Sequence, residues 1–318
     1  MKITIMGSGN IGSLLGSVLT EAGQDVTLVD IRPDLIEAIS RDGMTIDMSD
    51  GRSKCIKVKI TGNAASAGIS DLIIIATKGY DTRQAIEDAL PLVGKDTYVL
   101  SVQNGAGNIE TIADVLKDDS RVVGGVFHCI VTPFTYNRLS WVVGTGGLNI
   151  GPLNGKMGPH IDRIVEAFKG TGIDVGTTDR VQNIIWSKLL LNTNMAVAAT
   201  LNITNDQYLY YPSVRKLVTL LGEECAQVAQ AMGVDLEHPQ DPVAPLITVM
   251  EKFRDSGLKP KCSMYQDMLN KRKTEIDTIH GSVVREGKNH NVPTPVTEVM
   301  ILLVKALEEI NARSMEQQ

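Results

Sequence analysis

Apolar residues over the first 180 positions fall into short runs separated by amphipathic stretches. "KITIM" (2–6), "DVTLVD" (25–30), "LIIIAT" (72–77) and "TYVLSVQNG" (97–105) contain these runs. The all-apolar run in "LIIIAT" is that of a strand covered on both faces. Between them, "NIGSLLGSVLTEAG" (10–23) carries apolar residues at helical spacing and ends on glycine, and "RPDLIEAISRDG" (32–43) has Pro33 near its start and Gly43 at its end. "TRQAIEDALPLV" (82–93) continues the alternation. Strand, helix, strand repeated in this way predicts an α/β unit with a Rossmann-type, doubly wound parallel sheet and right-handed crossovers.

Strand signals stop near residue 180. "VQNIIWSKLLLNTNMAVAATL" (181–201), "SVRKLVTLLGEECAQVAQAMG" (213–233), "VAPLITVMEKFRDSG" (243–257), "TEIDTIHGSVVREGKNHN" (274–291) and "PVTEVMILLVKALEEINARS" (295–314) all read as helices. The expected division is a sheet domain over 1–178 and an all-α domain over 179–318, with no Gly-, Ser- or Pro-rich linker between them. The tail "SMEQQ" (314–318) is expected to fray.

The turn between the first strand and helix reads "GSGNIG" (7–12). Gly7 permits a tight turn, Gly9 lets a pyrophosphate approach the backbone, and Gly12 lets helix and strand pack closely. The helix start offers free N–H groups and a partial positive charge to phosphates. Gly7, Ser8, Gly9, Asn10, Ile11 and Gly12 are therefore candidate cofactor-binding residues for a dinucleotide. Asp30 ends the second strand, 18 residues beyond Gly12. A carboxylate there bonds the adenosine ribose hydroxyls and repels a 2′-phosphate, so NAD is expected in preference to NADP. Arg32 points the other way, since its guanidinium suits either an adenine face or a 2′-phosphate.

Composition narrows the partners. The 318 residues are 43% hydrophobic and 21% charged, with a net charge of −6, enough apolar material for two cores. An acidic chain without a Lys/Arg block predicts no nucleic-acid and no membrane partner. Cys55, Cys129, Cys225 and Cys262 form no C-x-x-C pair, and the histidines His128, His160, His238, His280 and His290 form no H-E-x-x-H, so no metal is expected. Scattered thiols, and a start without a basic segment leading into a long apolar run, make the cytoplasm the expected location. The apolar C-terminal helices suit a homodimer interface and the chain's own core equally.

Lys188 and Asn192 stand at i and i+4 in "IIWSKLLLN" (184–192), on one face of an otherwise apolar helix. A lysine there either packs its stem and snorkels its head to water, or holds a partly desolvated ammonium of lowered pKa suited to proton transfer. In "CSMYQDMLNKRKTEID" (262–277), Thr274 with Asp277 and Ser263 with Gln266 both fit capping boxes, with Glu275 opening a helix. A capping hydroxyl also lies beside free N–H groups that suit a carboxylate. Asn104, just after a strand, and Lys78, after "LIIIAT", stand where ligands bind in an open parallel sheet. A favoured Asn-Gly turn and ordinary surface explain them as well.

"GSGNIG", "ATKGYD" (76–81), "SVQNGAGN" (101–108), "IIWSKLLLN" and "CSMYQDMLNKRKTEID", in this order, resemble the ketopantoate reductase (2-dehydropantoate 2-reductase) family over nearly the whole chain. The resemblance implies hydride transfer between a nicotinamide cofactor and a 2-oxo or 2-hydroxy acid, with 2-dehydropantoate and pantoate the leading pair. It implies that Lys188 and Glu275 are catalytic: Lys188 donates a proton to the keto oxygen, and Glu275 positions the substrate hydroxyl. Asn104 and Lys78 would lie near cofactor and reacting carbon, Asn192 and Ser263 would bind substrate, and Cys129 in "FHCIV" (127–131) would bring backbone near the cofactor.

Three positions depart from the family pattern. Ala196 and Pro260 stand where members often have asparagine, and Asp30 replaces the basic or neutral residue usual in NADP users. The departures leave open an NAD-dependent dehydrogenase of another small 2-hydroxy acid or alcohol. A non-catalytic NAD-sensing module is the remaining alternative, and Lys188 with Glu275 counts against it.

Overall fold

The computed structural model describes every residue except 144–145, 239–240, 242, 257–258, 260 and 317–318. The chain divides into two compact units: residues 1–103 with 108–181, and residues 104–107 with 182–318.

The first unit runs β1 (Lys2–Met6), α1 (Asn10–Glu21), β2 (Asp25–Val29), α2 (Pro33–Asp42), β3 (Met44–Met48), β4 (Ser53–Ile56) and β5 (Lys59–Thr61). It continues with β6 (Ser70–Ile75), α3 (Thr82–Ala89), β7 (Val93–Ser101), α4 (Asn108–Leu116) and β8 (Val122–Phe127). β9 (Ile130–Thr135), β10 (Arg138–Val142), β11 (Leu148–Pro152), α5 (Pro159–Ala167) and β12 (Val175–Thr177) complete it. Eight strands form one sheet in the order β12-β11-β8-β7-β6-β1-β2-β5. The expected parallel sheet is mixed at one pair, because β11 runs antiparallel to β8.

β1 lies mid-sheet, paired with β2 on one side and β6 on the other, with Ile5 level with both Leu28 and Ile74. The chain winds outward to β2 and then crosses to β6, so a topological switch point falls beside β1, where open α/β sheets bind ligands.

A second sheet, β4-β3-β10-β9, has no counterpart in the sequence expectation. α1 packs against strands of both sheets. That explains why its buried positions run unbroken from Gly12 to Leu19 rather than along one stripe.

The second unit holds α6 (Val181–Asn192), α7 (Met195–Leu201), α8 (Pro212–Ala231), α9 (Ala244–Ser256), α10 (Ser263–Leu269), α11 (Ile276–Asn289) and α12 (Pro295–Glu316) around a core that includes Trp186, Tyr208, Leu221 and Ile279. The single helix expected over 181–201 is two. Thr193 Oγ1 donates to the Leu190 carbonyl at 2.8 Å and Asn194 Nδ2 to the Leu191 carbonyl at 2.7 Å. These side chains compete with the backbone for the last turn's acceptors and break the helix. By length and mean hydropathy the 181–201 stretch would span a bilayer, but 56% of its apolar window is buried within the protein. The tail expected to fray from Ser314 stays helical to Glu316.

Candidate active site

The Gly7 N–H donates to the Val29 carbonyl and the Ala76 N–H to the Met6 carbonyl, both at 2.8 Å, so the ends of β2, β1 and β6 lie laced together. Gly7 has φ +94°, and a Cβ there would stand 2.8 Å from Thr77, just past β6. A Cβ on Gly12 would stand 1.9 Å from the Gly7 carbonyl oxygen. At Gly9, with φ −67°, a Cβ would meet nothing within 4 Å. That open space lies at the start of α1, whose first turn has no side-chain cap. Uncapped amides facing room on the glycine side are what a pyrophosphate needs. Ser8 is buried, Ile11 half-buried and Asn10 exposed, and Ser13 Oγ donates to the Ser8 carbonyl at 2.9 Å.

Asp30 follows β2 into this turn. Its Oδ2 accepts the Ser8 N–H at 2.7 Å and Arg32 Nη2 at 2.8 Å, while Oδ1 accepts Arg32 Nε at 2.9 Å and the Arg32 backbone N–H at 3.0 Å. Burial pushes the carboxyl's pKa up, but the Arg32 guanidinium and the two backbone N–H groups outweigh it and hold Asp30 below the usual carboxylate range. The two residues that the sequence sets in opposition are thus paired with each other.

Lys78 is half-buried between β6 and α3. The backbone around it is fixed by a residue the sequence reasoning missed. Gln103 Nε2 donates to the Thr77 carbonyl at 3.1 Å and to Thr82 Oγ1 at 2.9 Å, and Gln103 Oε1 accepts from Ser101 Oγ at 3.0 Å. Its only signal was its place inside "SVQNGAGN". Cys129 is half-buried in the β8–β9 link. Among the described residues, no three His, Cys, Asp or Glu side chains converge on a metal-sized site.

In the second unit α11 is the organising element. Glu275, buried, is its N-cap, and its carbonyl accepts the N–H of Ile279 at 3.0 Å. The Thr278 carbonyl accepts the Ala106 N–H at 3.3 Å. Gly105, at φ +88°, lies so close that a Cβ would stand 2.2 Å from that carbonyl oxygen, so the Asn104–Gly107 segment rests on the first turn of α11. Farther along, His280 Nε2 lies 2.9 Å from the Thr193 carbonyl, at the α6–α7 break. Asn192 ends α6, 6% exposed, with an Nδ2 that has no hydrogen-bond partner. Lys188, one turn earlier, is half-buried. Ser263 opens α10, its Oγ 3.9 Å from Met195 Sδ at the start of α7. Asn104, Lys188, Asn192, Ser263 and Glu275 thus stand on elements of one unit that touch one another.

Neither expected capping box forms. Thr274 Oγ1 accepts the Ile276 N–H at 3.3 Å, one position inside the expected cap, and Asp277 pairs with Lys305 at 2.7 Å instead. Cys262, not Ser263, is the N-cap of α10, and Gln266 Nε2 donates to the Lys261 carbonyl at 2.8 Å. Each helix starts one residue away from the register the box requires. Ala196 is fully buried in α7, and Pro260 lies outside the described residues.

A glycine turn opening a helix at the switch point of a doubly wound sheet, in a chain that continues into a helical unit, marks the class of dinucleotide-dependent oxidoreductases. The chain matches the family described as ketopantoate reductase PanE/ApbA over residues 3–155, and that family's C-terminal part over residues 180–308. It belongs to the ketopantoate reductase family, whose members use a nicotinamide cofactor.

A 2-dehydropantoate 2-reductase of Pyrococcus horikoshii is 30% identical over 99% of this chain and 100% of its own. One from Halobacterium salinarum is 26% identical over 96% and 98%. Among solved structures, a ketopantoate reductase from Ralstonia eutropha superposes with a TM-score of 0.86 at 28% identity, covering 98% of this chain and 100% of its own. A D-mandelate dehydrogenase with NADH and anilino(oxo)acetate gives 0.87 at 26%, with the same coverage.

Proposed function

We propose that this chain is a 2-dehydropantoate 2-reductase acting in the cytoplasm on a small keto acid, with NADH as the preferred reductant. The observation that carries the reading is the Asn192 amide, buried without a partner one turn beyond Lys188, on a helix tied to the one that Glu275 caps. A buried donor left unpaired is costly unless a ligand oxygen completes it.

In this reading the Gly7–Gly12 turn would hold the pyrophosphate, Asp30 the adenosine ribose, and Lys78, Asn104 and the backbone at Cys129 the remainder of the coenzyme. The bound nicotinamide supplies the hydride. Asn192 and Ser263 hold the keto acid's polar groups, and Glu275 accepts a hydrogen bond from its hydroxyl. The Lys188 ammonium stabilises the alkoxide as charge develops on the former keto oxygen and delivers its proton there.

The testing experiment is a turnover screen of 2-oxo acids, 2-dehydropantoate included, with NADH and NADPH in parallel. The highest kcat/KM is expected for 2-dehydropantoate. A second reading, a dehydrogenase of another 2-hydroxy acid, is favoured by the buried methyl of Ala196, which offers no donor, and by the likeness to the D-mandelate enzyme. An aromatic 2-oxo acid preferred by about tenfold or more would select it.

Cofactor choice turns on the Asp30–Arg32 pair. For Asp30 to take the ribose diol, the guanidinium must release both of its side-chain bonds. Asp30→Ala is expected to weaken NADH binding by roughly tenfold or more, the scale of a lost charged hydrogen bond, and to spare NADPH. Arg32→Ala should weaken NADPH more than NADH. Dissociation constants from nicotinamide fluorescence decide the matter, and equal losses for both coenzymes in both variants would refute this division of roles.

A further inference from the structure

We infer that His280 is a positioning residue for the reduction: its Nε2–H bond to the Thr193 carbonyl sets the end of α6, and with it the Lys188–Asn192 face, against α11. The inference rests on the proposed reduction and adds to it a residue that touches neither keto acid nor coenzyme.

The break after Asn192 has to dispose of its carbonyls. Side chains of Thr193 and Asn194 take those of Leu190 and Leu191. The break's own carbonyls are met from outside the helix: Tyr208 Oη donates to Asn194 at 3.0 Å, and His280 meets Thr193 at 2.9 Å. Both rings are 0% exposed. Burial pushes the His280 pKa down to about 4, so at neutral pH the ring carries one proton. A carbonyl only accepts, which assigns that proton to Nε2.

Nδ1 is then a buried acceptor, and it has no partner. Such an orphan costs about 1–3 kcal/mol. A phenylalanine would fill much of the same space without that cost, so packing alone does not account for an imidazole here. What it supplies is a directional link between the helix that bears Lys188 and Asn192 and the helix that Glu275 caps. Reacting groups misplaced by even an ångström lose rate steeply.

The test compares His280→Phe, His280→Gln, and a destabilising control away from the break, Glu224→Gln. Glu224 accepts the N–H groups of Val296 and Thr297 at the start of α12, at 2.9 and 2.8 Å. His280→Phe is expected to lower kcat by roughly 10- to 100-fold with coenzyme Kd unchanged. His280→Gln, whose amide nitrogen falls near the place of Nε2, should recover most of the loss. Glu224→Gln should lower Tm without lowering kcat.

Wild-type turnover in His280→Phe, no recovery in His280→Gln, or an equal kcat loss in the control at matched Tm would overturn the inference. Should His280→Phe not fold, nitrogen-15 spectra of histidine-labelled wild-type protein still decide. A neutral, Nε2-protonated His280 at neutral pH is expected, and the other tautomer or a charged ring overturns it. Lys188→Ala, run alongside, separates the two levels: if that variant keeps its turnover, the reductase reading falls, whereas a fault confined to the His280 variants leaves that reading standing.

Discussion

Lys188→Ala is expected to lower kcat by roughly 10²- to 10⁴-fold, the range for loss of a positioned acid in a proton-transfer step. Coenzyme affinity should hold, because the proposed reading assigns the coenzyme's pyrophosphate and ribose to the glycine turn and Asp30 and gives Lys188 only the keto oxygen. Stability should hold as well: Lys188 is half-buried on a helix whose core contacts are made by Trp186, Leu189 and Leu190, so truncation leaves the packed side of α6 intact. Lys188→Arg keeps the positive charge but not the function, since a guanidinium does not give up its proton at working pH. It should therefore remain far below wild type while binding keto acid better than the alanine variant does. Single-turnover rates with preloaded coenzyme read the chemical step directly, and a normal rate in Lys188→Ala would remove Lys188 from the mechanism.

The parts of this molecule legible in the sequence are those written in contiguous pattern. β6 is buried on both faces and announces itself as the solid apolar run Leu72–Ile75, β1 and β2 show as shorter apolar stretches that each hold a threonine, and the glycine turn sits where β1 ends. Lys188 and Asn192 are legible because four residues on a helix is one turn. The second sheet was harder. "MTIDM" in β3 alternates buried and half-buried residues, a real two-residue period in too short a segment. β9 ends in four exposed residues and carries no such period.

What the sequence could not carry was anything decided by a distant partner. "LLLNTNMAVAA" keeps a helical pattern straight through the break, because the break is made by Thr193 and Asn194 turning back on their own helix and by His280 and Tyr208 arriving from elsewhere. Asp30 and Arg32 were both visible as candidates. Their mutual capture depends on the conformation of the turn between them, to which a two-residue spacing is blind. In the sequence His280 is a histidine outside any metal motif; its partner is a carbonyl 87 residues away along the chain.

Gly9→Ala and Gly12→Ala should fail in opposite ways. A methyl group on Gly12 would come within 1.9 Å of the Gly7 carbonyl oxygen and 3.0 Å of its carbon, and both neighbours are backbone at the end of a central strand. Neither can yield without moving β1 or α1. The variant should lose about 1–3 kcal/mol or more of stability, the range for overpacking a tight interior, together with coenzyme binding. A methyl group on Gly9 meets no protein atom within 4 Å, and its φ of −67° suits any residue. Gly9→Ala should therefore melt with the wild type yet bind coenzyme at least about tenfold more weakly, a deficit of about 1.4 kcal/mol, because the methyl occupies the space a pyrophosphate needs to reach the amides of α1. Thermal melts and coenzyme titrations of the two proteins side by side read both quantities. Unimpaired binding in a stable Gly9→Ala would mean that the diphosphate does not lie on this turn, and with it would go the assignment of Asp30 to the adenosine ribose.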